Sequence, residues 1–318
     1  MRRRFLYSLI FSLVFLLYLL TGRYLFLPLP SNGVERTILV DIRLPRAVAV
    51  SLSGAALATA GLALQNVFRN PLAGPNIVGV TSGSAFGAVL AILYLGFNPL
   101  TIQLSAFIGG ILALVIVWRL QRLIRGGTLG LVLVGMAVSA LFQAFVGFAK
   151  YVADPYNKLP AITFWLLGSF AGVRWGDIVP FTAPMLVGTV GIILLRWPLN
   201  VMSLGDEARA LGLDISRFRA IFIGLSTLSI SATTAVAGMV GWVGLIAPHV
   251  ARLIVGHDNR SLAPATALAG AVIMLICDDI ARSLTPGEIP IGVVTSLVGG
   301  PLLLLVLSKS NYIIRRRW

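Results

Sequence analysis

Few residues in this chain could do chemistry. It carries two histidines and one cysteine in 318 residues, too few for a structural zinc site and with no possible intrachain disulfide. The densest ionisable group is Cys277-Asp278-Asp279, with Arg282 one helical turn further on. Acids in an apolar span can relay protons, as gradient-driven carriers require. With an arginine one turn away they can instead neutralise one another's surroundings and pack a helix end, and this reading is preferred. A two-aspartate intramembrane protease is disfavoured, because adjacent acids lie on different helix faces. His249 follows Pro248 in GLIAPHVARL. It could gate a path or hold a ligand, but such a histidine more often satisfies backbone groups beside a proline. Cys277 reads as a small buried apolar residue. None of the three lysines, Lys150, Lys158 and Lys309, follows a glycine, so the Gly-Lys-Ser/Thr phosphate loop is absent. If this chain moves a solute, the energy comes from a partner's ATP hydrolysis or from an ion gradient.

The surrounding sequence must place these residues in a membrane. Hydrophobic residues make up 58% and charged residues 11% of the chain, with a mean hydropathy of +0.94. That is a polytopic membrane protein. The net charge of +14 is not a nucleic-acid signature, because the basic residues sit in short groups between apolar spans. The N-terminal MRRRFLYSLIFSLVFLLYLL is similar to a signal peptide. Its apolar run is too long for one, and no small-residue cleavage site follows, so it is expected to stay as a first span. Ten apolar segments are expected, at about 5–27, 46–66, 76–95, 100–118, 129–149, 178–197, 217–237, 239–255, 262–283 and 290–308. The eighth is short and carries Pro248, so a bent or partial span is expected there. Placing both termini in the cytoplasm puts 17 of the 25 Lys and Arg inside and 8 outside, which the positive-inside bias favours.

The second segment differs from the others. From Arg43 to Gly79 it reads RLPRAVAVSLSGAALATAGLALQNVFRNPLAGPNIVG. Ser51, Ser53, Gly54, Ala58 and Gly61 are among the small residues found on every side of it. Small residues let backbones approach, so this helix should be surrounded by other helices. Beyond it, Asn70-Pro71 and Ala73 to Asn76 form an irregular polar stretch, either a simple turn or a gate at the inner mouth. Two connections are long. The outer one, about 150–177, contains LPAITFWLLGSF, expected to form a short surface helix with Phe164, Trp165 and Phe170 at the interface. The inner one, about 200–219, reads NVMSLGDEARALGLDISRFR. Ser203 and Asp206 have capping-box spacing, and Gly212 suits a helix stop. Two turns of polar helix are marginal alone, so a partner is expected to hold them. Arg119, Arg122 and Arg125 suit anionic lipid or a partner.

Several of these stretches together resemble one family. RLPR, the small-residue helix, RNPLA, VGVTSG, FWLLGSF, LGDEARALGLD, AGMVGWVGLIAPHVARL, DDIAR, EIPIG and VVTSLVGGP are similar, in order and over nearly the whole chain, to the iron-siderophore and vitamin B12 permease family of ABC importers. The resemblance implies an all-α permease of about ten transmembrane helices, forming a single domain over 1–318. It implies a homodimer with the path between its subunits, two separate ATPase subunits below, and a soluble binding protein outside. ATP and Mg would sit on the ATPase, so this chain would be no enzyme and hold no cofactor or metal. By resemblance, Ser203, Asp206, Glu207, Arg209 and Gly212 belong to the coupling loop on the ATPase. Asn70, Leu72 and Thr128 belong to the cytoplasmic gate. Arg43, Arg46 and Arg282 correspond to outward arginines that pair with acids on the binding protein. The implied location is the cytoplasmic (inner) membrane. A ferric chelate is the first substrate expected, with haem, cobalamin and molybdate or tungstate as alternatives. A gradient-driven secondary carrier is the reading from another class.

Overall fold

The computed structural model describes residues 2–22, 33–124, 126–203 and 214–315. Within them all regular structure is helical. In chain order the helices are α1 (Arg2–Leu20), α2 (Gly33–Phe68), α3 (Val80–Leu95), α4 (Pro99–Ile124), α5 (Gly127–Val152), α6 (Lys158–Leu167), α7 (Trp175–Leu194), α8 (Arg196–Met202), α9 (Ile215–Ala237), α10 (Val243–Val255), α11 (Asn259–Ser283) and α12 (Ile291–Arg315). Six are long and apolar enough to cross a membrane. Shorter apolar helices coincide with the remaining four expected spans, and α6 is the expected helix of the long outer connection. Helices follow from the solvent, since backbone in lipid must satisfy its own hydrogen bonds within the segment.

The centre of the fold is α2. It packs against α7, α9, α10 and α11, and its 18-residue apolar window is 83% buried. The small residues explain the packing. A Cβ on Gly54 would collide with the carbonyl of Gly270 on α11, and one on Gly61 with the carbonyl of Gly244 on α10. Pro248 lies within α10 and has no N–H for the carbonyl four residues back, which is that of Gly244. The freed carbonyl is thus the one that lies against Gly61. Helix α10 is only 13 residues long, consistent with the partial span expected from Pro248.

Two details differ from the sequence reading. Phe170 is fully buried, whereas an interfacial position was expected. The reason is local: Gly168 has φ +75, and the turn beyond it is tied down from both sides. Ser169 N–H donates to the Ala237 carbonyl at 2.8 Å, and Ile291 N–H donates to the Gly168 carbonyl at 3.0 Å. These bonds draw Phe170 into the bundle, while Phe164 on α6 remains exposed. Second, α2 continues N-terminally past Arg43 through a π-helical turn, Ile38–Arg43, to Gly33. The wider turn changes the facing of the residues that follow, and both Arg43 and Arg46 lie on a buried side.

Candidate functional sites at the two ends of the bundle

At one end, α1, α2 and α11 bring together residues that are far apart in sequence. Asp278 accepts from Arg46 Nε at 2.8 Å and Nη2 at 3.0 Å, and from the Tyr18 hydroxyl at 2.5 Å. Arg46 Nη1 also donates to Glu288 at 2.9 Å. Asp279 accepts from Arg282 Nη2 at 2.7 Å and from the Thr21 hydroxyl at 3.1 Å. Arg282 also donates to the Tyr18 carbonyl at 2.5 Å, with its guanidinium 3.7 Å from the Tyr18 ring centroid. Arg43 donates to the Leu19 carbonyl at 2.8 Å. Buried charges are tolerable when each is paired and hydrogen-bonded, and both aspartates here meet that condition.

Arg43, Arg46 and Arg282, the arginines the resemblance assigns to the binding protein, are 7–8% exposed and make these contacts inside the bundle. Asp278, Asp279 and Glu288 surround them with negative charge, and a buried guanidinium without such company would be costly. The local-neutralisation reading of the aspartate pair agrees with these contacts. Glu288 was missed, because its ten-residue separation from Asp278 carries no periodic signal. Tyr18 was missed because a tyrosine inside an apolar run is unremarkable.

The opposite end is built on the last turn of α2. Arg69 adopts a left-handed conformation, φ 51, and opens the loop that contains Asn70 and Leu72. Asn70 Oδ1 accepts from Leu72 N–H at 2.9 Å, while Leu72 itself is 51% exposed. The Pro71 carbonyl faces His249 Nε2 at 2.9 Å. The histidine therefore meets a backbone carbonyl, but that of Pro71 in the loop after α2 rather than one freed by Pro248. Gln65 bridges two partners, donating to the Leu245 carbonyl at 3.2 Å and accepting from Arg252 at 2.6 Å. A second chain of bonds ties α2 to α8 and α11. Asn259 donates to Asn66 at 3.3 Å through its side chain and to Asn200 at 2.8 Å through its backbone N–H. Asn200 in turn donates to Asp258 at 2.6 Å. Asp258 caps α11 and is held below the usual carboxylate range, first by the Arg260 backbone N–H, then by the Asn200 amide.

Between the two ends, a flank cavity of about 460 Å3 is lined by Asn76, Thr81, Leu166, Met239, Ser296 and Leu297 among others. No charged side chain among the described residues lines it. Among the described residues no cluster of three His, Cys, Asp or Glu could hold a metal ion.

Residues 5–309 match the FecCD transport family. The chain belongs to that family. Among similar curated proteins, the molybdate import system permease protein MolB of Haemophilus influenzae is 42% identical, covering 86% of this chain and 82% of its own. A probable iron chelatin transport system permease protein of Helicobacter pylori is 35% identical over 86% and 83%. The hemin transport system permease protein HmuU of Yersinia pestis is 36% identical over 88% and 86%. Among solved structures, an ABC transporter of the metal-chelate type in an inward-facing conformation aligns with TM-score 0.91. It is 40% identical and covers 96% of this chain and 98% of its own.

In this FecCD permease the remaining candidate residues are placed as follows. Thr128 is half-buried in the first turn of α5, and no hydrogen bond joins it to Asn70 or Leu72 among the described residues. Helix α5 does reach the stretch after the loop, because Gly135 packs directly on the Ile77 carbonyl. Ser203 flanks the end of α8, and its hydroxyl donates back to the Asn200 carbonyl at 2.6 Å. Asp206, Glu207, Arg209 and Gly212 lie outside the described residues, as do 23–27 of the first expected span and Arg125.

Proposed function

We propose that this protein is the membrane subunit of a binding-protein-dependent ABC importer that carries a ferric chelate into the cytoplasm. Two copies form the path, separate subunits hydrolyse ATP, and both termini and the Pro71 loop face the cytoplasm. The observation that carries this reading is the 40% identical ABC transporter of the metal-chelate type, aligned over 96% of the chain. The uncharged flank cavity supports it from the geometry, since a half-path without fixed charge would let a bulky chelate pass without capturing it. The segment 204–213 is the proposed ATPase contact, and the Asn70 to Pro75 loop, with Leu72 exposed and Thr128 at the same end, is the proposed gate. A second reading, molybdate, is favoured by the 42% identity to MolB.

The test is reconstitution with the neighbouring ATPase and binding protein in proteoliposomes. Vanadate-sensitive uptake of a labelled ferric hydroxamate supports the first reading. Uptake of labelled molybdate alone supports the second. Uptake without ATP, driven by an imposed ion gradient, overturns both. In a Cys277→Ala background, a cysteine at Asp258 should label only from the ATPase side and one at Asn157 only from the opposite side. The reverse pattern overturns the orientation.

A further inference from the structure

A separate cavity of about 370 Å3 lies among the start of α4, helix α6, the start of α7 and the end of α9. It is at the same end of the bundle as Arg46, because Trp175 at the start of α7 donates to the Val40 carbonyl of α2 at 3.2 Å. It shares no lining residue with the flank cavity, and neither the ion cluster nor the Pro71 network uses it.

The polar groups on its wall have one electrical character. Gln103 is 7% exposed, and its Oε1 has no hydrogen-bond partner among the described residues. A buried amide oxygen without a donor is costly unless something supplies one. The last residues of α9, Ala235 to Ala237 with Gly238, also line the cavity. A helix C-terminus carries the negative end of the helix dipole, and among the described residues no backbone donor reaches the carbonyls of Ala235 or Val236. Among the described residues, Asp177 is the only charged side chain on the wall. Phe97, Phe164 and Trp165 add aromatic rings, whose faces attract cations. Among the described residues no lysine or arginine lines the cavity, in a chain of net charge +14. The lysine that opens α6, Lys158, is committed elsewhere, donating to the Leu93 carbonyl at 2.6 Å.

Acceptors, an acid, a helix C-terminus and aromatic rings converging on one space are complementary to a small cation that has donors and apolar edges. We infer that this cavity binds an organic ammonium group, presented either by an amine-bearing phospholipid headgroup or by a free small amine. Aromatic walls suit an ammonium better than a strongly hydrated metal ion, which would have to give up its water.

The experiment uses the purified full-length permease in detergent. The probes are dihexanoyl-phosphatidylethanolamine, free ethanolamine and, as the control without an amine, dihexanoyl-phosphatidylglycerol. Binding is read from tryptophan fluorescence, with Trp165→Phe to assign the signal, and from the rise in melting temperature. We expect saturable binding of an amine probe, no comparable response to the glycerol lipid, and an affinity loss of about tenfold or more in Gln103→Leu and in Asp177→Asn. Gln103→Glu, which keeps the shape and adds negative charge, should bind at least as tightly as wild type. The asparagine of Asp177→Asn can still accept from the Arg174 N–H that Asp177 now caps at 2.9 Å, so this variant should remain folded if Gln103→Leu does not. Binding of the lipid amine but not of ethanolamine assigns the headgroup; similar binding of both assigns a free amine. Equal response to the glycerol lipid, or unchanged affinity in Asp177→Asn, overturns the inference.

Discussion

Arg46 grips Asp278 through two nitrogens, Nε to Oδ2 at 2.8 Å and Nη2 to Oδ1 at 3.0 Å, across 232 residues of sequence. The carboxylate is 0% exposed, so almost everything that solvates it is protein. Removing Asp278 leaves the buried Arg46 with only the partly exposed Glu288 as counterion, and breaking a buried pair costs about 3–5 kcal/mol. Asp278→Ala should therefore lower the unfolding free energy of the purified protein by about that much. Replacing both partners, as Arg46→Met with Asp278→Leu, should recover most of the loss. Chemical unfolding of wild type and the two variants checks this, and a single variant no worse than the double would refute it.

The contacts of α2 set Gly61 apart from glycines on other helices. The atoms nearest to an added Cβ at Gly61 are backbone, the carbonyl group and Cα of Gly244, while at Gly224 on α9 or Gly147 on α5 it would meet nothing within 4 Å. Backbone cannot rotate aside as a side chain can. Gly61→Ala should destabilise by about 1–3 kcal/mol, whereas Gly224→Ala should be within about 0.5 kcal/mol of wild type. Melting temperatures in one detergent suffice. Comparable shifts in both variants would mean that α2 and α10 do not pack as closely as described.

At the Pro71 end, Asn259 joins the last turn of α2, just before the Asn70 to Pro75 loop, to α8, the helix that ends just before residue 204. If the ATPase acts on 204–213, this bonded junction is a direct way for movement to reach the loop. Asn259→Ala should keep the ATPase bound and hydrolysing while uptake per ATP falls about tenfold. An unchanged ratio of transport to hydrolysis would show that the junction carries no coupling.

Asp258 supplies a pH dependence whose sign is fixed. Its folded-state pKa lies below the ordinary carboxylate value, chiefly through the Arg260 backbone N–H. A depressed pKa stabilises the fold above the unfolded-state value, and that contribution is lost as pH falls through the folded one. Wild type should thus lose more stability than Asp258→Asn between neutral pH and the acid range below the usual carboxylate pKa. Parallel curves for the two proteins would remove Asp258 from the account. The side chain is exposed, so salt and solvent keep the difference small.

Much of the fold was legible in the sequence, and the reason is the solvent. In lipid every spanning segment must satisfy its own backbone, so apolar length, Pro and Gly encode each helix locally. The ten spans, the small-residue character of α2, the shortness of α10 at Pro248 and the surface helix α6 follow from that rule. Which way a polar side chain points does not. Arg46 near a span end reads as a charge offered to a partner. The side chains that gather around it in the fold, Tyr18, Asp278 and Glu288, come from other segments, so nothing along its own segment announces them. His249 beside Pro248 announced a backbone partner, but the carbonyl it meets, that of Pro71, lies 178 positions away. Gln103 reads as one amide in an apolar helix, and its meeting with the end of α9 and Asp177 exists only in three dimensions. Local rules govern a helix because its hydrogen bonds close within four residues. Charge pairs and cavities depend on contacts between segments far apart in sequence, and pattern along one segment does not encode them.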